Sequence, residues 1–195
     1  RKATLERYRN PAPPRTGTGS FDLWPPDYSN PYWVHRGSWW IQLEELTRLF
    51  GPWADDGSEL ESYIQAGRFL QAEALRYDIE ATRRREPEAS GFIIWMGNEP
   101  FPNNANTSVI EYDGTPKPAY YWVRECYASL HVSARYAKIA HTVGETIQAE
   151  IFLHDENACS RTEENRLTVT AEFFDIHGTV LQQKEWSAPG PELGG

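Results

Sequence analysis

A long helical pattern that runs, after a short loop, into a brief apolar stretch constrains this fold more than any other feature. Leu60, Ile64, Leu70, Ala74, Tyr77 and Ala81 recur at three-to-four spacing, or a multiple of it, down one face. Ser58 and Glu61 form a Ser-x-x-Glu start, with Asp55 and Asp56 just before it, where the helix dipole favours negative charge. Arg83, Arg84 and Arg85 occupy the last turn, where cations are favoured, and Pro87 prevents continuation. The charged residues of this helix, Glu80, Arg83 and Arg84 among them, read as a solvated face. Phe92 to Met96 then form a β-branched and aromatic run that fits a fully buried strand. Helix, short loop and buried strand make one step of a parallel α/β fold.

The strand delivers Trp95 and then, at its C-terminal mouth, Gly97, Asn98 and Glu99. An aromatic, an amide and a carboxylate at such a strand end are what an α/β barrel uses to build a sugar site. The ring packs on the C–H face of a sugar while the polar groups bond its hydroxyls. A plainer reading competes: Trp95 as a core aromatic, and Asn98 with Glu99 as ordinary turn chemistry before Pro100. The residues alone leave both open.

Beyond those residues, the order and spacing of Gly91, Trp95, Asn98, Glu99, Ser108, Ile110, Tyr112, Gly114, Lys117, Pro118, Tyr120 and Tyr121 resemble the last barrel strand of glycoside hydrolase family 2 enzymes, β-mannosidases above all. In that family a Gly-x-x-x-Trp-x-x-Asn-Asp strand leads to a Ser-x-Ile-x-Tyr strand, a Gly turn and a Lys-Pro-x-Tyr-Tyr helix start. Glu99 stands where the family usually has Asp. The segment from Tyr63 to Arg76, with Glu80 and Arg83-Arg84 later, also resembles the β-mannosidase helix before the last strand. The resemblance covers roughly residues 58 to 136.

The resemblance implies a retaining β-glycosidase in which two carboxylates about 5 Å apart share the work. It assigns Trp95 to stacking on the sugar, and Asn98 and Glu99 to hydroxyl recognition or support of the nucleophile. Asn98-Glu99-Pro100 also resembles the Asn-Glu-Pro acid/base motif of related barrel glycosidases, which would make Glu99 the proton donor. The family's nucleophile is a Glu in a Ser-Glu-Phe-Gly-like setting, and no such setting occurs here. Glu44 and Glu45 instead read as helical, with Leu43, Leu46, Leu49 and Phe50 on one face and Gly51 as the stop. The acid/base strand is expected upstream of residue 1. β-Galactosidases, β-glucuronidases and exo-glucosaminidases of the same family remain alternatives to a β-mannosidase. From a different class, the chain could be a non-catalytic carbohydrate-binding or structural module, because a full barrel needs about 250 residues.

The first thirty residues are rich in Pro, Gly and Arg, with at most a short helix at Ala3 to Tyr8. Phe21, Trp24, Tyr28, Tyr32, Trp33, Trp39 and Trp40 follow as an aromatic cluster. Such loops wall a sugar pocket or plug a core, and Trp39 and Trp40 join Trp95 and Asn98 as candidate substrate-binding residues. The chain carries eight tryptophans and ten tyrosines, which fits carbohydrate contact.

From about Ser129 the period changes. Ile147, Ala149, Ile151 and Leu153 alternate with polar residues, as do Leu167, Val169, Ala171 and Phe173, and a turn at His177-Gly178 precedes Val180, Gln182 and Trp186. The expected architecture is therefore α/β: the C-terminal portion of a (β/α)8 TIM barrel, then a partial all-β immunoglobulin-like sandwich. Residues 1–57 are read as barrel loops, 58–128 as the last helix-strand-helix units and 129–195 as the sandwich.

A net charge of −9 argues against nucleic acid and anionic membranes as partners, and no apolar run is long enough for a transmembrane helix. The expected partners are a carbohydrate substrate and the remainder of a longer parent chain, since the sequence starts Arg-Lys-Ala-Thr and ends in Pro and Gly. Cys126 and Cys159 fit no disulfide framework, and His141, His154 and His177 are too scattered for a metal, so no cofactor is expected. Glu163 and Glu164 read as a solvated loop. Asn106-Thr107-Ser108 fits a glycosylation sequon, relevant only in a secretory context. Compartment stays open.

Overall fold

The computed structural model describes residues 24–26, 38–100, 107–157 and 167–187. Phe21, Tyr28, Tyr32, Trp33, the segment Ala3 to Tyr8, Asn106, Cys159, Glu163 and Glu164 lie outside the described residues. A 3-10 turn at Ser38–Trp40 precedes helix α1, Leu43–Phe50. Helix α2 is Glu59–Arg83 and α3 is Pro118–Cys126. Four strands follow: β1 Leu130–Arg135, β2 Glu150–Asp155, β3 Thr168–Phe174 and β4 Val180–Ser187. The chain divides into two compact units, Arg1–Ile79 with Gly91–Arg124, and Glu80–Ser90 with Glu125–Gly195.

In the first unit, Gly51 ends α1 through its N–H on the Thr47 carbonyl at 2.8 Å, in line with a glycine stop. The start of α2 is built on Asp56, whose carboxylate accepts from the Ser58 backbone N–H at 3.0 Å and the Ser58 hydroxyl at 2.5 Å. The Ser58 hydroxyl thus donates to Asp56, and Glu61 accepts from Gln65 at 3.0 Å. One core cluster holds Ile41, Leu46, Tyr63, Ile64 and Ala66, with Trp24 and Trp53 packed on it. The Trp24 and Tyr63 ring centres lie 5.4 Å apart, so this one aromatic of the N-terminal cluster serves packing. A second cluster joins Ala72 of α2 to Val109 and Ala119, with Ile94 and Trp122 against it. The buried face of α2 includes Ile64 as expected, but Ala74 is exposed.

Two expectations are corrected here. The run Phe92 to Met96 is not a fully buried strand, since Ile93 is 94% and Trp95 77% exposed. Burial of a parallel strand requires neighbours at both edges and cover on both faces. Among the described residues, backbone pairing with the following segment runs from Met96, whose N–H reaches the Thr107 carbonyl at 3.0 Å, through Gly97 and Glu99 to Ile110. Asn98 and Ile110 form an isolated parallel bridge, and Ile110 and Pro116 an antiparallel one. Nor are the charges of α2 a solvated face throughout: Glu73 and Glu80 are buried. Burial is tolerated because cations meet them, Arg76 at 2.7 Å from Glu73, and Arg84 at 3.8 Å from Glu80.

The second unit contains two two-stranded antiparallel sheets, β1 with β2 and β3 with β4. β1 pairs His131 with His154 and Val132 with Leu153. Its alternation of Leu130, Val132 and Ala134 with His131, Ser133 and Arg135 is a period-2 signal that the sequence reading passed over. The β3–β4 hairpin turns through Asp175 to Thr179, with Gly178 at φ +84, the left-handed region that glycine enters freely. Among the described residues the elements are thus a few helices and small antiparallel sheets.

Candidate functional site

A concavity of the first unit is backed by a set of polar contacts. Gln71 of α2 donates to the Ser108 carbonyl at 2.8 Å, and Arg68, one turn earlier, pairs with Glu111 at 3.3 Å. Buried Lys117 donates to the Ser108 hydroxyl at 3.1 Å, and that hydroxyl donates to the Ile110 carbonyl at 2.9 Å. These bonds fix the segment Thr107 to Lys117 against α2. Because Thr107 to Ile110 pairs with Met96 to Glu99, they also fix the exit of the apolar run. The Trp95–Met96 peptide bond is cis.

A cavity of about 620 Å³ results, lined by Trp40, Trp95, Gln42, Gln71 and Thr107, with Leu70, Ala74 and Leu75 of α2. Gln42 takes up φ 53 and ψ 33 at the start of α1, a left-handed conformation uncommon for a residue with a side chain. Two indoles and three aliphatic side chains offer apolar surface, and two amides and a hydroxyl offer directional bonds. This mixture suits a neutral polar ligand with one apolar face.

The structure brings Trp40 and Trp95 together on this cavity. Trp39 does not line it; its ring packs on Trp40 at 6.3 Å between centres and is 69% exposed. Asn98 is exposed, and its amide donates to the Glu99 carbonyl at 3.4 Å. Glu99 is buried, 3% exposed, and its carboxylate accepts from the Thr107 hydroxyl at 3.4 Å. Neither Asn98 nor Glu99 lines the cavity. Glu44 and Glu45 lie in the first turn of α1 and do not line it either. The sequence reading missed Gln42, Gln71 and Thr107 as lining residues. Thr107 carried a signal only as the middle of a sequon, and Gln71 only as a polar position on a helix.

No family model matches the chain. β-Mannosidase B of Aspergillus niger is 30% identical over 81 residues, 40% of this chain and 10% of that protein. The relationship is glycoside hydrolase-like. The chain thus spans about a tenth of the length of this curated β-mannosidase. A solved β-D-mannosidase from Dictyoglomus thermophilum aligns over 75% of this chain and 17% of its own, with 21% identity and a TM-score of 0.47.

Proposed function

We propose that this chain is part of a retaining β-glycosidase of glycoside hydrolase family 2, with a β-mannoside the favoured substrate. The 81-residue similarity to a β-mannosidase carries the reading. The Gly91-to-Tyr121 pattern supports it as well, because it resembles the family's last barrel strand. On this reading residues 58–128 supply the closing units of a TIM barrel, and residues 129–195 supply strands of an immunoglobulin-like sandwich.

Trp95 and Trp40 are the stacking surfaces, since pyranose C–H faces bind against indoles. Gln42 and Thr107 are the hydroxyl partners within the same cavity. Glu99 supports the site through Thr107, the side chain it meets. Catalysis requires a second carboxylate about 5 Å from the first, one serving as nucleophile and the other as acid and then base.

The test is hydrolysis of a panel of aryl β-glycosides by the full gene product, wild type beside Trp95→Ala and Glu99→Gln. The reading expects cleavage of a β-mannoside, at least a tenfold loss of kcat/KM in Trp95→Ala (about 1.4 kcal/mol), and residual turnover in Glu99→Gln. Loss in Glu99→Gln confined to poor leaving groups would make Glu99 the proton donor instead. No turnover of any glycoside, with mannoside binding retained, would favour a non-catalytic binding module.

A further inference from the structure

Three potential metal donors from three separate elements meet in the second unit, Glu80 lying far in sequence from Cys126 and His131. Glu80 lies in the last turn of α2, Cys126 ends α3, and His131 is the second residue of β1. Their donor atoms, a carboxylate oxygen, a thiol sulfur and an imidazole nitrogen, all lie within 4.8 Å of one another. Glu80 and Cys126 are each 1% exposed, and the His131 side chain is 14% exposed. We propose that this cluster is a binding site for one zinc ion or a chemically similar divalent transition metal.

The donor chemistry selects the ion. Thiolate, imidazole and carboxylate together suit zinc and cobalt, whereas magnesium and calcium require oxygen donors. Four-coordinate zinc sits about 2.0–2.3 Å from its donors, which places neighbouring donors roughly 3.3–3.8 Å apart. The Glu80–His131 edge is 3.0 Å, so this pair needs only to open slightly, and the thiol needs to draw in by about 1.3 Å at most. Water would complete the tetrahedron. On binding, Cys126 loses its thiol proton to solvent and the His131 proton settles on Nδ1, leaving Nε2 for the metal.

The surroundings hold the donors in place. The Arg83 guanidinium donates to the Cys126 carbonyl and, at 2.9 Å, to the Ala128 carbonyl, which pins the link between α3 and β1. The His154 ring stacks on His131 with centres 6.5 Å apart, and its Nε2 meets the Ser133 hydroxyl at 3.3 Å. Other charges face the cluster: Arg84 lies 3.8 Å from Glu80, and Arg83 meets Glu156 at 3.5 Å. The two guanidiniums oppose a cation, so the affinity falls below that of a site built from several thiolates.

Cobalt titration of the intact chain tests the site. The expected result is one equivalent bound, with the absorption of a tetrahedral cobalt–thiolate centre and its displacement by zinc. Cys126→Ser and His131→Gln should each weaken binding by more than about 100-fold, beyond the 10–100-fold typical of a lost outer partner. Cys159→Ser should bind as wild type. X-ray absorption on the zinc-loaded wild type requires no variant, and should give one sulfur among four light neighbours. A zinc shell without sulfur, cobalt bands that survive in Cys126→Ser, or no stoichiometric binding by the wild type would each overturn the proposal. In those cases the cluster is a hydrogen-bonded structural contact only.

Discussion

The buried carboxylate of Glu99 accepts from the hydroxyl of Thr107 at 3.4 Å, and Thr107 itself lines the cavity that Trp40 and Trp95 share. Glu99 therefore reaches the cavity through a neighbour. Replacing Thr107 by Val keeps the shape and removes the donor. A long hydrogen bond to a buried carboxylate contributes about 1 kcal/mol, and leaving the acceptor short of a partner costs up to about 3 kcal/mol. Urea unfolding of Thr107→Val should show a loss in that range, and the double variant with Glu99→Gln should show less than the sum of the singles. Strict additivity would mean that the two side chains do not interact.

Trp95 separates binding from stability. Its side chain is 77% exposed, so Trp95→Ala should change unfolding free energy by no more than about 0.5 kcal/mol. Titration with a β-mannoside, followed by the ligand's own NMR signals, should nevertheless lose at least tenfold in affinity. A destabilisation of about 3 kcal/mol, the scale of a core aromatic, would instead make Trp95 a packing residue.

Two isoleucines test the correction to the apolar run. Ile64 is 1% exposed within the core cluster, and Ile93 is 94% exposed. Truncation of Ile64 to Ala should cost about 2–5 kcal/mol through lost transfer energy and the cavity left behind. The same change at Ile93 should cost less than about 0.5 kcal/mol. Chemical denaturation of this chain reads both, and an equal cost would return Phe92 to Met96 to the core.

The helices were legible because their signals are local. Repeating apolar positions, Pro118 at a first turn and Gly51 at a stop act within a few residues of where they stand. Burial of the Phe92 run was not legible, because it depends on which strands flank the run and not on the run itself. Glu80 and Arg84 read as a solvated face for the same reason: a buried ion pair is visible only once both partners are placed. Of the candidate site, Trp40 and Trp95 could be proposed from residue type, since indoles carry their own binding chemistry. Gln42, Gln71 and Thr107 acquire a role only from position, and no local pattern marks them.

The turn between β3 and β4 should respond to acid. Asp175 accepts from the backbone N–H of His177 at 2.8 Å and of Thr179 at 2.9 Å. Those bonds, the one to Thr179 foremost, favour the ionised form and hold its carboxyl below the ordinary value of 3.8. A group whose folded pKa is depressed adds stability above its unfolded value and loses it as pH falls through the folded one. The hairpin should therefore keep its turn at neutral pH and loosen only below the ordinary aspartate range. NMR titration should place Asp175 below 3.8, with the His177 and Thr179 amide shifts moving on the same curve. Asp175→Asn retains an acceptor oxygen, so it should preserve the turn at neutral pH and abolish that shared titration. Asp175→Ala should lose protection of both amides at every pH. An Asp175 that titrates at or above the ordinary value would show that the carboxylate does not organise the turn.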